Sequence, residues 1–335
     1  MKGPSLPDTA FDVLAIGSAI VDVFAPADDS FLAEEGLVKG SMRLIDTAEA
    51  TRLYSRMAAG REVSGGSAAN TAAGIAALGG RAGFVGLVAD DQLGEVYAHD
   101  IRAAGVVYSV PPRGAEPPTA RCLILVTPDA QRTMNTYLGA SQELAETDID
   151  LATVAAAKIL YLEGYLWDPA EPRRAMRAAI AASRAAEREI ALTLSDSFCV
   201  ERHRDDFRRM IAGREIDLLF ANEQEILSLA QTEDLDAAIA AVAPQVPLLV
   251  VTRSERGALA VTDGTRTEVP ASPVTQLVDT TGAGDLFAAG FLAGRAAGRG
   301  VETSLRMGAI AAAEIISHYG ARPEADLREL VRGLA

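Results

Sequence analysis

Aromatic side chains make up only 5% of this 335-residue chain, and it holds two cysteines and three histidines. With so few large rings and abundant Ala and Gly, the interior must be built from closely packed helices of small cross-section. Cys122 and Cys199 form no C-x-x-C pair and no metal-ligand spacing, so they read as reduced core thiols. His99, His203 and His318 lie far apart, without an H-x-x-x-H pattern, and read as surface or packing residues. No stretch approaches the roughly 18 uninterrupted apolar residues that would span a bilayer. The first ten residues carry Pro, Asp and Thr where a secretory leader needs an apolar stretch, so a cytoplasmic protein is expected. Basic residues are also scarce. Against 31 Lys and Arg stand 46 Asp and Glu, a net charge of −15. Such a chain lacks the basic face that a nucleic acid duplex requires. A phosphate-bearing ligand would have to be held by local devices: helix N-termini, a few Arg side chains, a divalent cation. Finally, there is no G-x-x-x-x-G-K-[ST] loop.

What is present is an ordinary globular composition, 49% hydrophobic and 23% charged, enough for one large domain or two smaller ones. Short apolar runs alternate with Ala-rich segments. Residues 13–16, 83–87, 158–162, 190–194, 218–220 and 248–252 read as strands. Residues 67–78, 94–104, 172–186, 223–229 and 235–243 read as helices. Continuously apolar strands separated by helices predict a mostly parallel sheet covered on both faces. Two regions, 21–46 and 106–139, break this rhythm with more Pro, Asp and Thr and with alternating apolar residues such as Cys122, Ile124 and Val126. They are expected to form a small inserted sheet able to close over a cleft as a lid.

Three local patterns carry chemistry. The first is Asp279-Thr280-Thr281-Gly282-Ala283-Gly284-Asp285, which runs straight into an apolar helical segment. A Gly-Ala-Gly turn at a helix start presents free backbone N–H groups at the positive end of the helix dipole, an anion hole. Phe287 stands where a G-x-G-x-x-G fingerprint needs glycine. Asp285 at the mouth of an anion hole makes sense as a base that takes a proton from a hydroxyl. As a bare motif, it also fits a helix-capping aspartate. The second is Ser64-Gly65-Gly66-Ser67-Ala68-Ala69-Asn70, whose glycines permit close approach of a ligand while Asn70 offers a fixed amide. It also fits a plain turn and N-cap. In the third, Asn222 and Glu225, three apart at a helix start, can orient water on a magnesium ion or simply form a capping box.

In this order and at these separations, the three patterns resemble the ribokinase (PfkB-type) family, over about residues 13–320. The stretch from Gly65-Gly66 through Asp90-Asp91-Gln92-Leu93-Gly94 resembles its first signature, Asp279 to Asp285 its second, and Asn222-x-x-Glu225 its magnesium motif. The resemblance implies one kinase domain over the whole chain, a three-layer α/β ribokinase-like fold with a β lid, and ATP and Mg²⁺ as reactants. It implies Asp285 as the base, with Gly282, Ala283 and Gly284 as the anion hole. It places Asn222, Thr252, Arg253, Gly257 and Thr281 around ATP and Glu225 on Mg²⁺ through water. Oxygens near Asp279 and Thr281 would be the place for K⁺. Arg132, in Gln131-Arg132-Thr133, stands where the family has a lid arginine able to reach the phosphoryl group.

Within the family the chain is most similar to adenosine kinases. Ser18-Ala19-Ile20-Val21-Asp22 keeps the aspartate that would grip two ribose hydroxyls, and Ile20 stands where ribose kinases carry Asn. Ser18, Asp22, Gly65, Gly66, Ser67 and Asn70 are thereby implied as acceptor-binding, with Tyr165, Leu166 and Phe198 where a base would stack. Tyr165 and Trp167 equally fit core packing at a strand end. Three features depart from adenosine kinases: Ser18 where Asn is frequent, Leu166 at the stacking aromatic, and Arg43 near the base. The expectation is phosphorylation of a nucleoside 5′-hydroxyl, adenosine preferred. The alternatives are a sugar kinase acting on fructose, ribose or 2-keto-3-deoxygluconate, and a non-catalytic nucleotide sensor, for which Asp285 would be useless. A monomer or homodimer is expected.

Overall fold

A computed structural model of the protein describes residues 9–129 and 131–334. The amino-terminal stretch read as too polar for a leader thus lies, at positions 1–8, outside the described residues. Fourteen strands occur among them. In chain order they are β1 (Phe11–Ile16), β2 (Ile20–Pro26), β3 (Met42–Leu44), β4 (Arg61–Gly65), β5 (Ala82–Val85), β6 (Val107–Tyr108) and β7 (Ala120–Val126). There follow β8 (Arg132–Tyr137), β9 (Ala157–Glu163), β10 (Glu189–Thr193), β11 (Leu218–Asn222), β12 (Leu248–Thr252), β13 (Ala258–Thr262) and β14 (Thr265–Val269).

Nine of them form one sheet in the order β14-β13-β12-β11-β10-β9-β1-β5-β6. All its neighbours pair in parallel except the β12-β13-β14 meander at one edge. The central strands are apolar on both sides because both sides are covered: residues 13–16 of β1 and 82–85 of β5 are buried without alternation. From β9 the chain steps outward to β10, β11 and β12; from β1 it steps the other way to β5 and β6. Right-handed crossovers therefore place the two sets of helices on opposite faces. Helices Ser67–Ala77, Ala283–Ala296 and Val301–Ile315 pack on one another in one layer. The opposite layer contains Ala170–Ala185, Ser197–Ala212, Glu223–Ala230 and Leu235–Val242. Trp167, Tyr97, Tyr161, Phe84, Phe207 and Phe291 are the largest fully buried side chains. This is the expected three-layer α/β body.

Strand order reverses between β1 and β9, and in open α/β sheets ligands bind at the carboxyl ends of strands beside such a switch point. Over this place lies the second sheet, in the order β3-β8-β7-β2-β4. Its composition differs from the expected segments at two points. β4 at 61–65 belongs to it, although Arg61-Glu62-Val63 offers too little alternation to be read as a strand; it is held as an edge by antiparallel pairing to β2. β6, within 106–139, joins the large sheet instead, by pairing with β5. In β2 the side chains alternate between the sheet's packed and cavity faces, so Ile20 and Asp22 look into the cleft while Val21 and Val23 are buried.

Candidate active site

The carboxyl ends of β1 and β9 lie side by side, Ile16 opposite Leu162. One residue further on, the Glu163 carboxylate accepts hydrogen bonds from the backbone N–H of Ser18 (2.6 Å) and of Ala68 (2.8 Å). A single fully buried acid thus ties the end of β1 to the start of the helix Ser67–Ala77. Burial pushes its carboxyl up to about 7, against the pull of those two N–H donors. That helix begins after Gly65-Gly66, and the glycines are there for space. Gly66 has φ +96, and a Cβ on it would lie 2.1 Å from the Ser18 carbonyl oxygen; one on Gly65 would lie 2.4 Å from a carboxylate oxygen of Asp22. The paired glycines let the helix start pass directly beside Ser18 and Asp22.

The same helix faces the second glycine turn. Gly282 takes a left-handed conformation (φ +78) as the N-cap of Ala283–Ala296, which puts Asp285 in its first turn. The Asp285 carboxylate accepts from Ser67 Oγ (2.6 Å) and from Asn70 Nδ2 (2.9 Å), one on each oxygen. Withdrawal from bulk water raises its pKa; the Ser67 and Asn70 donors and the Arg322 charge oppose the rise. Gly284 is exposed, and a Cβ on it would meet nothing within 4 Å, so the backbone of the turn opens onto free space.

These groups line one cavity of about 690 Å³. Its lining takes in Ser18, Asp22, Gly66, Ser67 and Asn70, the turn Gly282–Gly284 with Asp285, the threonines Thr252 and Thr281, and Tyr165, Leu166 and Phe198. Tyr165 is 38% exposed and Phe198 66%, while Leu166 is buried beneath them. Trp167 belongs to the core, its ring 5.9 Å from that of Phe207. Arg43 reaches the cavity too, held by Asn135 (2.7 Å) and Glu49 (2.6 Å). Asp22 is withdrawn from water, which pushes its carboxyl up to about 7; Arg322 opposes the rise and Asp285 adds to it.

Asn222 and Glu225 line the cavity and also form the capping box. Asn222 Oδ1 accepts from Glu225 N (2.9 Å), and the two Glu225 oxygens accept from Asn222 N (2.9 Å) and Nδ2 (2.6 Å). Each oxygen keeps a lone pair, and burial pushes the carboxyl up to about 7. No group of three or more His, Cys, Asp or Glu able to hold a metal occurs among the described residues. Asn222 and Glu225 would hold a magnesium ion through its waters, using the lone pairs that the capping box leaves free.

Other expected residues fall elsewhere. Arg253 and Gly257 are not among the residues lining the cavity: Arg253 pairs with Glu268 (2.8 Å), and Gly257 (φ +79) packs against the backbone of β14. Arg132 is engaged with the Asp279 carboxylate and with Thr281 Oγ1 (3.0 Å) and is stacked between the rings of Phe24 and Tyr319. It faces a smaller cavity of about 310 Å³. Asp279 also accepts from the N–H of Thr281 and Gly320 (3.0 Å each). Burial raises its pKa, but Arg132 and these donors outweigh that and hold it below the ordinary carboxylate value. The carboxylate expected near a potassium ion is thus already paired with a cation.

Two residues escaped the sequence reading. Glu163 had one signal, an acid ending an otherwise apolar strand. Arg322, in Gly320-Ala321-Arg322-Pro323, had none.

The cavity joins a glycine turn at a helix N-terminus, where free backbone N–H groups favour an anion, to a carboxylate beside it, under a small second sheet; this layout suits a phosphotransferase. The family model described as pfkB family carbohydrate kinase matches residues 12–327. The chain belongs to this family and is a kinase; kinases of the family use ATP. An adenosine kinase structure from Sinorhizobium meliloti is 51% identical, covers 97% of this chain and 100% of its own, and superposes with a TM-score of 0.90. A probable sugar kinase structure from Rhizobium etli CFN 42 is 47% identical, covers 98% and 100%, and has a TM-score of 0.91. A fructokinase from Klebsiella pneumoniae is 30% identical over 237 residues, 70% of this chain and 77% of that protein. No helix among the described residues is long and apolar enough to cross a membrane.

Three raised carboxyls have a consequence for stability. Asp22, Glu163 and Glu225 each move from about 4 in the unfolded chain to about 7 when folded. A raised folded-state pKa means that the native state binds more protons than the unfolded one between those values. The contribution is full below about pH 4 and is lost as pH rises through about 7. Carboxyls shifted the other way, such as Asp129 at about 2, act only below pH 4. The thermal midpoint of the ligand-free protein should therefore fall between pH 5 and pH 7, and Glu225→Gln should flatten that slope. A slope unchanged in the variant would mean that Glu225 titrates near its ordinary value.

Proposed function

We propose that the chain transfers the γ-phosphoryl group of MgATP to the 5′-hydroxyl of a nucleoside, adenosine preferred. The observation that carries this reading is that one cavity of about 690 Å³ brings two carboxylates and two partly exposed rings together. Asp22 and Asp285 line it together with the partly exposed rings of Tyr165 and Phe198. A carboxylate can accept from two ribose hydroxyls at once, and exposed rings suit a flat base. Asp285 takes the proton of the attacking hydroxyl, held for that purpose by Ser67 and Asn70. The N–H groups of Gly282, Ala283 and Gly284 hold the phosphoryl oxygens. Mg²⁺, when bound, neutralises phosphate charge; Glu225 and Asn222 would hold its waters, and Thr252 and Thr281 would border the nucleotide. Arg132 would reach the phosphoryl group by leaving Asp279. The 51% identity to an adenosine kinase structure supports the same acceptor. A cytoplasmic setting suits the two reduced thiols, both buried and free.

The 30% identity to a fructokinase favours a sugar as the second reading. ADP release from MgATP, measured across adenosine, guanosine, inosine, cytidine, ribose, fructose and 2-keto-3-deoxygluconate, separates the two. Preference for adenosine by tenfold or more in kcat/KM is expected. Turnover of a sugar alone would keep the kinase and overturn the nucleoside.

A further inference from the structure

Arg322 comes from the loop after the last long helix and lines the smaller cavity, yet its guanidinium reaches Asn70, which lines the large one. One amino group donates to the carboxamide oxygen of Asn70, 252 residues away in sequence. The other donates to the Ser64 carbonyl (2.6 Å) and to Ser64 Oγ (2.9 Å). Ser64 is itself held by Asp100, which accepts from both its N–H (2.7 Å) and its Oγ (2.6 Å). The chain of contacts therefore runs from the helix Gln92–Ala103, through β4, to Arg322, Asn70 and Asp285.

The chemistry of the partners fixes the direction of this chain. Arginine only donates, and an ionised carboxylate only accepts. A carboxamide between them satisfies both in one orientation alone, its oxygen to Arg322 and its N–H to Asp285. The groups facing the guanidinium are Asp22, Asp100, Asp285 and Tyr97. Its charge also acts on two carboxylates lining the large cavity, Asp22 and Asp285, each of which it holds toward the ionised form.

We propose that Arg322 is a positioning residue for phosphoryl transfer: by donating to the Asn70 oxygen it turns the Asn70 N–H toward Asp285 and sets the orientation of the base. This rests on the reading of Asp285 as that base. Without Arg322 the Asn70 amide is free to turn, and a misplaced base costs rate far more than it costs substrate affinity.

The test compares Arg322→Met, Arg322→Lys, Asn70→Ala, the Asn70→Ala/Arg322→Met double variant and Asp285→Asn. Each is checked for folding by circular dichroism and assayed for ADP release with the acceptor found best by the panel. For Arg322→Met, kcat should fall about tenfold or more while acceptor KM changes less. The acidic limb of kcat/KM should move to higher pH, because the carboxylates keep their protons longer without the cation. The double variant should be no slower than the worse single one, since Arg322 acts through Asn70. Arg322→Lys keeps the charge, so its acidic limb should stay in place while kcat falls. A folded Arg322→Met variant with unchanged kcat and acidic limb overturns the proposal, as do fully additive effects with Asn70→Ala. Should Arg322→Met not fold, unchanged kcat in Arg322→Lys overturns it equally. If Asp285→Asn is inactive while Arg322→Met matches the parent, only the positioning role falls. If Asp285→Asn turns over at the parent rate, the base assignment falls and the positioning role with it.

Discussion

Turnover drops by about two orders of magnitude or more when Asp285 is replaced by Asn, while the acceptor still binds with nearly its original affinity. The substitution is close to isosteric. It keeps an oxygen for Ser67 Oγ, which donates to Asp285 at 2.6 Å, and so leaves the first turn of Ala283–Ala296 in place. What it removes is the capacity to take a proton, together with the acceptor for Asn70 Nδ2. A hydroxyl attacking phosphorus without a base must lose its proton to water, and general-base contributions of about 10²- to 10⁴-fold are typical. The anion hole is backbone, so phosphate binding is unaffected. The experiment pairs ADP release with calorimetric titration of the acceptor. A variant as active as the parent removes Asp285 from its role; one that loses binding and turnover together makes Asp285 a binding residue.

Asp22→Ala should raise acceptor KM by about 10²- to 10⁴-fold, with kcat changed much less. Two hydrogen bonds from hydroxyls to a carboxylate are lost, each worth about 1.5–3 kcal/mol, and about 1.4 kcal/mol is a factor of ten. The carboxylate is enclosed, and Gly65 leaves room for nothing else beside it: a Cβ there would stand 2.4 Å away. The pH dependence has a definite sign. Asp22 is pushed up to about 7, so the ionised form that accepts from both hydroxyls dominates above that pH, and acceptor binding should weaken as pH falls toward 6. Steady-state kinetics across this range, with adenosine and its 2′-deoxy analogue, provide the check. The deoxy analogue should lose most of its advantage over background in the parent and little in Asp22→Ala. Equal discrimination in both would place the sugar hydroxyls elsewhere.

The parts legible from sequence were those written in neighbouring residues. A parallel strand buried on both faces must be apolar throughout, so β1, β9, β10, β11 and β12 stood out as short apolar runs. The helix Ser197–Ala212 did not, because seven of its sixteen residues are charged and only a narrow side is buried. β4 did not, because an edge strand three-fifths polar carries no period. Within the cavity, Asp285 and Asn70 were recognisable because each sits in or beside a glycine turn whose backbone demands are local, whereas Asp22, in the middle of β2, was reached only through the family resemblance. Leu166, Tyr165 and Trp167 shared one motif, and burial alone separates them: Trp167 and Leu166 are enclosed, Tyr165 is partly open.

Sequence by itself determined the three-layer body, the two glycine turns and the aspartate after the second of them, because strand periodicity and left-handed turns are properties of adjacent residues. Tertiary structure alone decided how the buried charges are balanced. Glu163 beneath Ser18, Arg322 behind Asn70 and Arg132 against Asp279 each join residues more than 90 positions apart. Charge compensation acts through space at a few ångströms, and which charges meet at that distance is set by the path of the chain between them.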